Sequence, residues 1–165
     1  MFSSLFKSFG LHARVRILPA PLAGKVIPLS DVQDQVFAQG LLGQGVAIEP
    51  TGDRVVAPSD AKVEAIFPTG HAVALHTSEG LDVLIHVGLD TEKLEGRHFK
   101  VHASIGDVVR RDDVLIEFDR KAIEAAGYDV TAPIIICNAA EFASIKGCVG
   151  ETVAELDQLI AAKER

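Results

Sequence analysis

The chain has 165 residues, 48% of them apolar, and a formal charge of −7 from 16 basic and 23 acidic side chains. A chain of this size removes roughly two thirds of its unfolded surface from water and folds as one domain without a disulfide. Its two cysteines, Cys137 and Cys148, have neither CxxC spacing nor the density of a secreted scaffold, which points to a reducing, cytoplasmic setting. The acidic balance argues against nucleic acid as a partner and favours proteins with basic patches. No stretch reaches transmembrane length, and the start lacks the pattern of a signal peptide.

Residues 1–10 place Phe2, Leu5, Phe6 and Phe9 at helical spacing around Ser3, Ser4, Lys7 and Ser8. This is a short amphipathic helix at best, read either as a weak membrane-surface contact or as a tail or helix packed on the domain. Residues 1–12 are accordingly set apart from a domain over 13–165. The initial Met and the full set of domain motifs lead us to expect a free protein rather than a piece of a larger one.

From Val15 to Gly150 short Val, Ile and Leu runs are broken by Gly, Pro and Asp, the pattern of an all-β antiparallel sandwich or barrel. One repeat is visible: Ala20 to Leu29 aligns without a gap on Ala57 to Ile66, with Ala, Pro, Lys and Val coinciding. A third Ala-Pro, Ala132-Pro133, precedes Ile134-Ile135-Ile136 and begins another strand. Short helices are expected where Ser30 caps Asp31 to Gln35, over Thr91 to Leu94, and where Asp119 caps Arg120 to Ala126 ahead of Gly127. Thr152 to Lys163 is ambiguous. Val153, Leu156, Leu159 and Ile160 have helical spacing, yet the preceding residues read as strand and turn.

The chemistry concentrates on His71 and His86, in two apolar runs joined by Ser78-Glu79-Gly80. The pattern predicts a β-hairpin whose turn uses Gly80. With Ser78 and Glu79 as central residues, 71 lies opposite 86; with Glu79 and Gly80, the two are diagonal neighbours. Both registers put the histidines on one face and His76 on the other. Two converging imidazoles can serve as nucleophile and helper in phosphoryl transfer, or as two ligands of a zinc ion that still needs a third. A relay requires one histidine with a free ring nitrogen, its other nitrogen held by a carbonyl, and donors around the phosphoryl oxygens. His86 with Gly88 meets the first two needs, His71 supplies a donor, and the Thr69 hydroxyl can orient the His71 ring.

At these residues the chain resembles the glucose-type enzyme IIA component of the bacterial phosphoenolpyruvate-dependent sugar phosphotransferase system. The motifs run from about Val15 to Val153. They include Asp34-Gln35-Val36-Phe37-Ala38, Gly43-Gln44-Gly45-Val46-Ala47-Ile48-Glu49-Pro50, Thr69-Gly70-His71-Ala72 and Ile85-His86-Val87-Gly88-Leu89-Asp90-Thr91. The resemblance implies an antiparallel β-sandwich built from a duplicated hybrid motif. It also implies a phosphoryl carrier that takes phosphate from the phosphocarrier HPr on Nε2 of His86 and passes it to an enzyme IIB domain, during sugar uptake through an enzyme IIB/IIC permease. By the same resemblance His71 stabilises the transferring group, Thr69 orients His71, and the Gly88 carbonyl holds the phosphorylated ring. Asp34 and Asp90 would meet an arginine of HPr, and Val36, Phe37 and Val46 would form the apolar docking patch. No cofactor is required. Zinc between His71 and His86 is conditional on a third ligand, which some members receive from a regulated enzyme or transporter.

The chain departs from the family at Ala61, where Gly is usual, at Arg111-Asp112-Asp113, which replaces a glycine-containing turn, and at its helix-prone C-terminus. Three other readings compete. A zinc peptidase of related architecture would need a His-x-His pair, which the chain lacks. A lipoyl- or biotin-carrying module, suggested by Ala103 to Val109, would need a lysine at a hairpin tip that here carries Ser78-Glu79-Gly80. A partner-binding regulator, with or without zinc, would use the same histidine surface without turnover.

Overall fold

The computed structural model describes residues 14–165, so the expected amphipathic segment over 1–12 lies outside the described residues. The chain opens with strands β1 (Val15–Pro19), β2 (Gly24–Pro28) and β3 (Gln44–Pro50). It continues through β4 (Arg54–Val56), β5 (Ala61–Ile66), β6 (Ala72–Thr77), β7 (Asp82–His86), β8 (Phe99–Val101), β9 (Val108–Val109) and β10 (Val114–Phe118). It closes with β11 (Ala132–Ile136), β12 (Phe142–Gly147), β13 (Thr152–Val153) and β14 (Gln158–Glu164). All pairings are antiparallel. They form an eight-stranded sheet in the order β13-β2-β3-β11-β7-β6-β5-β9 and two three-stranded sheets, β1-β14-β12 and β4-β10-β8.

That order is symmetric about its centre, because the fold is one motif made twice. Strands β4 to β10 form one copy, inserted between β3 and β11 of the other. The visible repeat starts β2 and β5 at matching positions, and the bonds around them match as well. Val26 N–H donates to Glu151 O and Val63 N–H to Asp107 O, both at 2.9 Å. Ala20 N–H donates to Asp157 O at 2.7 Å and Ala57 N–H to Asp113 O at 2.8 Å. A second, gapless correspondence follows from these pairs: Gly106 to Ile116 lies on Gly150 to Ile160, with Asp112 (φ 79°) and Leu156 (φ 71°) both in the left-handed region.

Alternation along the strands sorts the apolar side chains into two clusters. The larger, with Val26, Val46, Ile48, Val63, Val73, Ile85, Ile134 and Leu115, fills the space between the sheets. The smaller covers the outer face of the eight-stranded sheet and joins Ala47, Ala72, Leu84 and Ile135 to Leu29, Val32, Phe37 and Leu89. The outer cluster is the floor of the site.

One local expectation changes and two open points are settled. Ser30 caps nothing: the 3-10 turn is Leu29–Asp31, and Val32 ends it in extended conformation. The helix that follows is Gln35–Ala38, capped by Asp34, whose carboxylate accepts from Val36 N–H at 3.0 Å. The C-terminal segment is strand, since Leu156 in the left-handed conformation breaks any helix and β14 then pairs with both β1 and β12. Neither Asp60 nor Ala61 takes a positive φ, so Ala replaces the usual Gly without an unusual dihedral. The Arg120–Ala125 helix, capped by Asp119 at 3.0 Å, and the 3-10 turn Thr91–Leu94 lie where the sequence places them.

Candidate functional site

The hairpin that carries both histidines has neither predicted register. Ala72 lies opposite His86 and His76 opposite Asp82, which leaves a three-residue loop, Ser78-Glu79-Gly80. Thr77 accepts from Gly80 N–H at 2.9 Å, its hydroxyl accepts from Leu81 N–H at 3.1 Å, and Gly80 at φ 79° completes a bulged turn. Strict alternation in this register would send His71 to the interior and put His76 on the His86 face. His71 escapes because it precedes the first residue of β6 and follows Gly70, whose φ of 73° bends the chain. His76 sits at the far end of the hairpin, bonded to Asp82 at 2.6 Å.

The two rings meet at the strand ends, with centroids 4.6 Å apart and planes at 80°. Each has its Nδ1 occupied. His71 Nδ1 is 2.6 Å from the Thr69 hydroxyl, and His86 Nδ1 donates to the Gly88 carbonyl at 2.8 Å. A carbonyl accepts only, so His86 carries its proton on Nδ1 and its lone pair on Nε2. Gly88, at φ 83°, makes that geometry possible: a Cβ there would lie 2.4 Å from Thr91 Cγ2. Thr91 pins the corner in turn by donating to Val87 O at 2.5 Å.

Aromatic rings wall the pair. Phe37 lies 4.9 Å from His86, Phe67 lies 5.4 Å from His71 and 6.2 Å from His86, and Phe99 lies 6.4 Å from His71. Ala47 and Ala72 contribute only methyl groups to the apolar cluster at the floor of the site. Burial, with His86 alongside, pushes His71 down from 6.5 to about 4. Burial lowers His86 as well, against the Gly88 carbonyl and the carboxylates of Glu92, Asp34 and Asp90, which raise it. The environment thus favours neutral imidazoles near pH 7, the form in which a ring nitrogen is nucleophilic.

The structure brings together most of the residues singled out from the sequence. Asp34 and Asp90 stand beside the pair, Asp90 exposed at φ 58°, while Val36 is 46% exposed and Phe37 is buried against the His86 ring. Val46 is a correction. It is 2% exposed and belongs to the interior cluster, because alternation along β3 turns it inward and its neighbour Ala47 outward. Sequence reasoning missed Phe67, Phe99 and Glu92, and also Leu41 and Leu42, which are 68% and 41% exposed beyond the Gln35–Ala38 helix. Glu92 is the most consequential: its carboxylate and one nitrogen of each histidine lie within 4.8 Å of one another. Two imidazoles and a carboxylate with a fourth position open form a donor set suited to zinc. The signal available was the Thr91-Glu92 step directly after the His86 corner.

Residues 16–142 match the model of the family described as phosphoenolpyruvate-dependent sugar phosphotransferase system, EIIA 1. A glucose-specific EIIA component of Oceanobacillus iheyensis is 38% identical over 161 residues, which cover 97% of this chain and 98% of that protein. A beta-glucoside-specific EIIBCA component of Dickeya chrysanthemi is 47% identical over 150 residues, 89% of this chain. The chain spans only 24% of that relative's length and 19% of a mannose-specific EIIBCA component of Corynebacterium glutamicum. Among solved structures, glucose permease IIA from Mycoplasma capricolum superposes with a TM-score of 0.80 at 31% identity, over 90% of this chain and 96% of that one. Among the described residues no helix is long and apolar enough to cross a membrane.

Proposed function

The chain belongs to the EIIA 1 family of the phosphoenolpyruvate-dependent sugar phosphotransferase system and is a phosphoryl carrier; from that premise we propose that His86 is the residue that carries the phosphoryl group. The observation that carries the proposal is the fixed His86 ring, with Nδ1 bonded to Gly88 O at 2.8 Å and the second imidazole 4.6 Å away. The Nε2 lone pair attacks the phosphorus of phospho-HPr. A new N–P bond forms at His86, and the old P–N bond breaks with its electron pair returning to the HPr imidazole. The Gly88 carbonyl keeps the Nδ1 proton partnered while the phosphorylated ring gains positive character. Once the group is on His86, His71, with Thr69 donating to its Nδ1, presents an Nε2–H to a phosphoryl oxygen and supports the onward transfer, where charge develops. In the second step a cysteine thiolate of an enzyme IIB domain forms the S–P bond, and His86 recovers its lone pair.

Asp34, Asp90, Val36 and the edge of Phe37 form the docking surface for HPr, with the exposed Leu41 and Leu42 extending it. The acidic pair meets a basic side chain of the donor and speeds encounter. A IIB/IIC sugar permease receives the phosphate, and the work takes place in the cytoplasm. The carrier domain is residues 13–165, set apart from 1–12, with a weak membrane-surface contact assigned to residues 1–10. No cofactor is needed for transfer. Zinc binding at His71 and His86 is a second, conditional use of the same nitrogens: when bound, the ion would occupy the His86 Nε2 lone pair that transfer requires, and His71 would hold its proton on Nδ1 rather than Nε2.

Incubation with phosphoenolpyruvate, enzyme I and HPr should yield an acid-labile, alkali-stable phosphoprotein. The label should vanish in His86→Gln; full labelling of that variant would refute the assignment.

A further inference from the structure

We infer that Glu92 is the third zinc ligand, so that this chain closes a metal site on its own histidines without a carboxylate from a partner. The inference rests on the zinc reading of His71 and His86 above and adds to it a residue of this chain. Three elements converge: His71 at the entry to β6, His86 at the end of β7, and Glu92 in the 3-10 turn Thr91–Leu94. That turn is fixed at both ends, by Asp90 at φ 58° and Glu95 at φ 56°, and by the Thr91 hydroxyl on Val87 O. The backbone of Glu92 is therefore held while its exposed side chain is free to turn.

The donor atoms already lie within 4.8 Å of one another. Bonds of 2.0 to 2.2 Å in a tetrahedral site place ligand atoms roughly 3.4 Å apart, a closure that rotation of an exposed glutamate can supply. The surrounding bonds suit a metal. Gly88 O accepts from Nδ1 of His86, and when His71 carries its proton on Nδ1 and donates it to the Thr69 hydroxyl oxygen, both Nε2 lone pairs are left for the ion and both rings are oriented by neighbours. The fourth position stays open to water. Because zinc and the phosphoryl group need the same lone pair on His86, the two exclude each other, and Glu92 sets the zinc concentration at which transfer stops.

Zinc titration of the full chain by calorimetry, with cobalt substitution to report coordination by visible absorption, tests this. The wild type should bind one ion. Glu92→Gln should bind it at least about 10-fold more weakly, since losing a direct ligand costs no less than losing an outer-shell partner, and give a changed cobalt spectrum. The zinc needed to block His86 labelling should rise by the same factor. Equal affinity and an unchanged cobalt spectrum in Glu92→Gln, with binding still lost in His71→Gln, would overturn the role of Glu92 and leave the two-histidine reading standing. Failure of the wild type to bind zinc would overturn both.

Discussion

The two copies of the motif share bonds, sheet positions and two left-handed turns, yet only the inserted copy carries chemistry. Its β7 ends in outward-facing His86 and its β6 is entered through Gly70-His71. In the other copy β11 ends in the inward-facing Ile136, and β3 is entered through Gly43-Gln44. The outer face of the sheet therefore needs neither histidine to form. What the inserted copy adds is a pair of imidazoles held out of water, and that placement has a cost in stability that the other copy does not carry.

The largest expected effect is on stability against pH. His71 has a folded-state pKa of about 4 against an ordinary 6.5, so the unfolded chain binds the proton first. Stability is full above about pH 6.5 and falls as the pH drops toward 4, by up to about 3 kcal/mol from this group. Replacing His71 by glutamine, which the other copy has at Gln44, should flatten that part of a urea-denaturation profile. An unchanged slope would mean that burial of His71 does not differ from its unfolded state.

The same His71→Gln variant should still accept phosphate on His86 but pass it to an enzyme IIB domain about 100-fold more slowly, because a positioned proton donor is lost. Gln44→Ala, at the entry to β3, should leave both steps unchanged in rapid-quench kinetics. Equal transfer rates in His71→Gln and wild type would remove the functional distinction between the copies.

A smaller effect separates the outer surface from the interior. Val36→Asp should raise KM for phospho-HPr about 10-fold with little change in melting temperature, since the side chain is 46% exposed. Val46→Ala should do the reverse, costing about 2 kcal/mol of stability for a buried cavity with KM unchanged. If Val46→Ala moved KM and Val36→Asp did not, the assignment of the docking face would be wrong.

The same contrast explains what could be seen in the sequence. The Ala20 and Ala57 repeat was legible because Ala, Pro, Lys and Val recur in register, and it agrees with the duplicated motif that the family resemblance implies. Its continuation, Gly106 to Ile116 on Gly150 to Ile160, was equally present, with Gly, Val, Asp, Leu and Ile coinciding, but the helical spacing of Val153, Leu156, Leu159 and Ile160 masked it, and the left-handed residues there are Asp112 and Leu156, not glycines. The histidine pair was legible by composition, but for an incomplete reason. A three-residue bulged loop shifts the register by one, and it is Gly70, not strand parity, that turns His71 to the site. Val46 was misplaced because a motif names neighbours without saying which way alternation turns each one. Glu92 was missed because a 3-10 turn, unlike a strand, brings a carboxylate back toward the histidine it follows.

The central claim is that Nε2 of His86 bears the phosphoryl group while Nδ1 stays bonded to Gly88. Phosphorus-coupled nitrogen NMR of the phosphorylated, 15N-histidine-labelled chain tests this directly. The account predicts a single phosphorus-coupled nitrogen, Nε2 of His86, with its Nδ1 proton retained. Coupling to Nδ1 of His86, or to either nitrogen of His71, would contradict it.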